Sequence, residues 1–68
     1  MNEEIQKFRK KLKEIRLRKG MSQGDIAKKL NVHRTYISGL ERGKRNPSLL
    51  SLKKLAEALD IDINELVK

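Results

Sequence analysis

Arg34, Thr35, Ser38 and Arg42 fall close together in the stretch HRTYISGLERG, residues 33–43. At about 100° per residue, a helix through it turns Ile37 and Leu40 to one side, with His33 and Glu41 at the margins. Thr35, Ser38, Gly39 and Arg42 point the other way, flanked by Arg34 and Tyr36. The outward strip offers a forked donor, hydroxyls and a small residue that permits close approach, and no apolar anchor for a protein partner. Such groups suit the edges of base pairs in a major groove, where Arg pairs with guanine and Thr meets a thymine methyl.

The flanking elements must present this strip. Ser22, with Asp25 as a short capping-box partner, opens a helix whose Ile26, Ala27 and Leu30 turn inward. Asn31 ends it, because Asn tolerates the left-handed conformation better than any residue but Gly. Two helices joined by so short a turn, the second turned outward, form a helix-turn-helix over about residues 22–43. Upstream, Ile5, Phe8, Leu12 and Ile15 line one face of a helix over about residues 3–19, with Asn2 as its N-cap. Glu3 and Glu4 in its first turn, and Arg18 and Lys19 in its last, complement the helix dipole.

Downstream, the third helix stops at Gly43, and KRNPS is a loop because Pro47 disfavours helix at Asn46. Ser48 caps a fourth helix, about residues 49–59, with Leu49, Leu52, Leu55, Ala56 and Leu59 on one stripe. Asp62 and Glu65 form a second capping box for a fifth helix carrying Ile63, Leu66 and Val67. The expectation is an all-α fold: one domain over residues 1–68, built from five short helices rich in local contacts.

The chain carries 17 basic and 9 acidic side chains, a net charge of +8, unevenly spread. Residues 1–46 hold 14 basic and 5 acidic groups, and residues 47–68 hold 3 and 4. One face is thus built to meet a polyanion, while the near-neutral end does something else. The absence of Cys fits a cytoplasmic protein, and no apolar run suits a signal peptide or a membrane span. A basic membrane-surface helix from residues 5–19 is disfavoured because its apolar side is needed for the core. Catalysis has little support: one His, no Gly-rich phosphate cradle and no carboxylate pair on one apolar face. His33 has no metal-binding companions, and no cofactor or small-molecule effector is implied.

The sequence resembles the Cro/repressor-type (XRE) helix-turn-helix regulators. IRLRKGMSQGDIA, the spacing of Ala27, Asn31, Ile37 and Leu40, and ISGLERGKRNPSLLSLKKLAEALDI carry the likeness across residues 5–67. HRTYISGLERGKRN is similar to the controller proteins of restriction–modification systems. The resemblance implies a lambda-repressor-like fold that binds a double-stranded DNA operator to regulate transcription. It implies base reading by Arg34, Thr35, Tyr36 and Ser38, and phosphate contacts from Gln23, Arg42, Lys44, Arg45 and Asn46. It also implies that Arg16 bridges to Glu41 and turns towards phosphate. His33 departs from the usual Ser, Thr or Asp at the third helix's N-cap, so its capping is weaker.

One reading helix covers too few base pairs to single out a genomic site, so a homodimer on a palindromic operator is expected. The near-neutral end, with Leu59, Ile61, Ile63, Leu66 and Val67, is the expected interface. The alternative is an antitoxin-type interaction module that keeps autoregulatory DNA binding.

Overall fold

Helix α1 (Glu3–Arg18) starts with Glu3 and Glu4 and ends with Arg16 and Arg18, each charge placed against the opposite helix pole. A computed structural model describes residues 3–68, so Asn2 and its capping role lie outside the described residues. After α1 come α2 (Gln23–Leu30), α3 (Arg34–Glu41), α4 (Leu49–Leu59) and α5 (Asn64–Val67), with no strand among the described residues. Local chemistry fixes most of the boundaries. Ser22 Oγ accepts from Asp25 N–H at 2.9 Å, and Asp25 Oδ2 accepts from Ser22 N–H at 2.8 Å, closing the expected capping box. The backbone bond from Ser22, then its hydroxyl, holds the Asp25 carboxyl below the usual carboxylate range. This cap therefore stabilises the fold above that range and is lost as pH falls through the lowered value.

Asn31 and Asp60 both adopt left-handed backbone, at φ 59° and 55°, and end α2 and α4. Ser48 Oγ accepts from Ser51 N–H at 3.1 Å and starts α4. His33 has extended backbone and makes no side-chain capping bond, so α3 begins at Arg34 without one, its first turn closed by Tyr36 N–H donating to the His33 carbonyl at 3.0 Å.

The core is a single cluster: Phe8, Leu12 and Ile15 from α1, Ile26, Ala27 and Leu30 from α2, and Ile37 and Leu40 from α3. Leu55, Ala56, Ala58 and Leu59 from α4 complete it with Leu66 from α5. Helix α2 packs on α3 and α4, while α1 packs on α3 and α5.

Three expectations about the C-terminal half need correction. Leu49 is 69 % exposed rather than on the buried stripe, which begins at half-buried Leu52. The first turn of α4 projects past the core, and periodicity cannot say how far a core extends. Asp62 forms no reciprocal box with Glu65: its Oδ1 accepts from Asn64 N–H at 2.8 Å, two residues on rather than three. Leu59 and Leu66, assigned to a dimer interface, are each 1 % exposed within the monomer. A 68-residue chain has few large apolar groups to spare, and both close its own core.

Leu66 is therefore a stability residue. Leu66→Ala should cost about 2–5 kcal/mol, and Leu66→Asp should leave the chain unfolded, both read by urea denaturation. Val67→Asp, at a side chain 51 % exposed, should shift stability by no more than about 0.5 kcal/mol.

Candidate nucleic-acid interface

The turn between α2 and α3 is closed by backbone. Val32 N–H donates to Ala27 C=O at 2.9 Å and Asn31 N–H to Lys28 C=O at 3.1 Å, possible because Asn31 is left-handed. Ile37 and Leu40 are fully buried, and this fixes the rotation of α3 about its own axis. Arg34, Thr35 and Arg42 stand exposed on the opposite side, with Ser38 half-buried among them.

A chain of side-chain contacts then holds α3 in place. Arg16 Nε donates to Glu41 Oε2 at 2.6 Å, and Arg16 Nη2 to Glu41 Oε1 at 3.0 Å. Arg16 Nη1 donates to the Met21 carbonyl at 2.9 Å, so every guanidinium nitrogen is engaged. The Glu41 hydrogen bond lifts the Arg16 pKa; burial opposes this and the Glu41 charge adds to it. Gln23 Nε2 donates to Glu41 Oε1 at 3.2 Å, and Gln23 Oε1 accepts from Arg34 Nη1 at 3.1 Å. The expected bridge between Arg16 and Glu41 is present. Arg16 is 7 % exposed, and three of its five N–H donors are used inside the fold.

Arg34, Thr35, Tyr36 and Ser38 come together with Arg42, Lys44, Arg45 and Asn46 along one open groove. No carboxylate lines it. Gln23 lies outside the groove and reaches it through Arg34. Tyr36 is half-buried, its hydroxyl 2.8 Å from Ser51 Oγ, which in turn accepts from Ser48 Oγ at 3.1 Å. Ser51 thus anchors a groove residue, and nothing in the sequence places α4 against Tyr36. Gly39 lines the same groove, as expected of the outward strip, but is buried there. A Cβ there would lie 3.1 Å from Arg45 Cγ, and its carbonyl accepts from Lys44 N–H at 2.8 Å and Arg45 N–H at 3.2 Å. Its small size admits the chain's own loop, with the Arg45 side chain against it.

Among the described residues no His, Cys, Asp and Glu cluster could hold a metal ion, and no helix is long and apolar enough to cross a membrane.

A short turn, a second helix with a polar outer face and a cationic loop define a helix-turn-helix domain. A family described as Helix-turn-helix matches residues 12–66, and the chain belongs to it. Its relatives include the control protein C.BamHI of Bacillus amyloliquefaciens, 44 % identical over 61 residues, covering 88 % of this chain and 75 % of that one. The restriction–modification controller protein C.AhdI from Aeromonas hydrophila has a similar structure, with a TM-score of 0.87 and 47 % identity over 91 % of this chain and 94 % of that one. The C.Esp1396I controller protein, solved as a tetramer with its natural 35 base-pair operator, matches over 100 % of both chains with a TM-score of 0.85 and 38 % identity.

Removing either member of the buried pair strands the other. Arg16→Ala and Glu41→Ala should each destabilise the fold by about 3 kcal/mol or more, and the double variant should lose less than the sum of the two. Urea unfolding checks this; additive losses would show that the two groups do not act as a pair.

Proposed function

We propose that this chain is a transcription regulator that binds double-stranded DNA as a homodimer, α3 of each subunit lying in the major groove of a palindromic operator. One observation carries this: the outward groups of α3 and the cations that follow it line a single open groove without a carboxylate. Cations there meet phosphates, while Arg34, Thr35 and Ser38 reach base edges. The chain's likeness to an operator-bound controller protein over its full length supports the reading. Its likeness to C.AhdI and C.BamHI favours control of a restriction–modification system. The protein then acts by occupying DNA in the cytoplasm rather than by catalysis.

The pairing surface is narrower than the sequence suggests, because Leu59 and Leu66 are spent in the core. Val67 remains exposed and shares an apolar groove with Ile5, Pro47 and Leu52, while Ile61 and Ile63 are half-buried. The basic face would repel its copy, so a second copy docks here, at the near-neutral end. Two reading helices about 34 Å apart then face successive turns of the groove.

Selection of bound sequences from a random duplex pool tests the reading; recovery of no preferred sequence would count against it. On the selected site, Arg34→Ala should cost about 1–3 kcal/mol and relax base choice at one position per half-site. Arg45→Ala should weaken all sequences alike and make the salt dependence shallower, because a phosphate contact releases counterions whatever the sequence. An unchanged ranking of sites in Arg34→Ala would remove α3 from the reading role. In sedimentation, Val67→Asp should stay folded, shift the wild-type dimer towards monomer and lose operator affinity.

A further inference from the structure

Arg9 lies on α1 seven residues before Arg16, close to the same face. It is half-buried, yet among the described residues no carboxylate pairs with it. Its Nε is buried without a hydrogen-bond partner, and the ion pair among the described residues belongs to Arg16 and Glu41. What Arg9 touches is the turn that ends α3. Gly43 stands there at φ +75°, and a Cβ on it would lie 2.9 Å from Arg9 Cδ and 3.0 Å from Arg9 Nη1. The space left by the missing side chain is filled by the end of Arg9.

The apolar stem of an arginine often covers neighbouring surface, and that explains the stem. It does not explain the head. A guanidinium stays charged at every physiological pH, and a half-buried one normally acquires a carboxylate or carbonyl acceptor. Among the described residues Arg9 has neither, which leaves the outer end of its guanidinium open to an acceptor from outside. The location identifies that acceptor. Gly43 runs directly into Lys44, Arg45 and Asn46 of the cationic groove. Asn46 also borders the groove formed with Ile5 and Phe8, so the N-terminal half of α1 flanks the end of the cationic row.

We propose that Arg9 is a contact to a DNA backbone phosphate outside the helix-turn-helix, extending the row of Arg42, Lys44 and Arg45 onto α1. This rests on the DNA-binding reading above. Nε itself is shut off from the surface, so the Nη donors at the outer end of the guanidinium, which are not among the buried atoms, meet the phosphate. The contact carries no sequence information; it fixes how the domain sits on the duplex.

The test uses fluorescence anisotropy on two duplexes of equal length, one a sequence selected from a random pool and one its scramble, across a salt series. Arg9→Met keeps the apolar stem and removes the charge. It should bind both duplexes more weakly, by about eightfold per bound subunit near 0.1 M salt, with a log–log salt slope shallower by about 0.9 per subunit. Arg9→Lys, which keeps the charge, should retain the wild-type slope. Because Arg9 has no hydrogen-bond partner among the described residues, the urea midpoint of Arg9→Met should equal or exceed that of the wild type. In the unmodified chain, the Arg9 Nε–H signal in nitrogen-15 NMR should shift when the scrambled duplex is added, a readout that needs no variant. A wild-type salt slope in Arg9→Met, whatever its urea midpoint, or an Nε–H signal unmoved by saturating duplex, overturns the assignment. A wild-type chain that binds neither duplex would be a different failure, that of the DNA-binding reading itself.

Discussion

The buried pair of Arg16 and Glu41 is the contact on which the geometry of the reading surface depends. Two charges taken out of water are tolerated only when the geometry is good and the remaining donors are satisfied. Here Arg16 meets both conditions, with two bonds to Glu41 and a third to the Met21 carbonyl. The result is orientation as much as stability: α1 is tied to the last turn of α3 and to the residue just before α2. Glu41 also accepts from Gln23, and Gln23 from Arg34, so the constraint runs from the core to the groove. Arg34 therefore starts with its side chain already held, so that in the proposed base-reading role it has less freedom to lose.

A second constraint is electrostatic. The groove gathers Arg34, Arg42, Lys44 and Arg45 with no acid among its lining residues, a concentration of like charge that works against the compact state. The fold accommodates it through backbone. Gly43 turns the chain at a positive φ, and the Gly39 carbonyl takes the next two N–H groups, fixing the loop while its side chains repel one another. Where repulsion is concentrated a second copy is unwelcome, which supports the proposed pairing through the near-neutral end.

Much of the scaffold is legible in the residues. Ser22 with Asp25, Asn31 and Ser48 mark helix ends in the places found, because capping is settled within three or four neighbours. Ile37 and Leu40 fix the side of α3 that turns inward, and Arg34, Thr35 and Arg42 are outward as the helical period requires. The bridge from Arg16 to Glu41 spans 25 residues and came from the family resemblance; no local pattern points to it. Asp62 shows the limit of even local signals, since its carboxylate accepts from Asn64 N–H while Glu65 N–H donates to the Asp62 backbone carbonyl.

What the sequence determined by itself is direction around each helix and the points where helices stop, both set by interactions along a few residues. Depth and partnership were decided only by the tertiary structure. Leu49 and Leu55 belong to one stripe, yet one is 69 % exposed and the other 0 %. Gly39 shares the outward strip with Thr35 and is buried, because a loop folds back onto it. Tyr36 faces the groove and spends its hydroxyl on Ser51, and Leu66 fills the core rather than a subunit boundary. Periodicity gives an angle about one axis, whereas burial depends on where the other helices end and on how much apolar volume so short a chain must use to close its core.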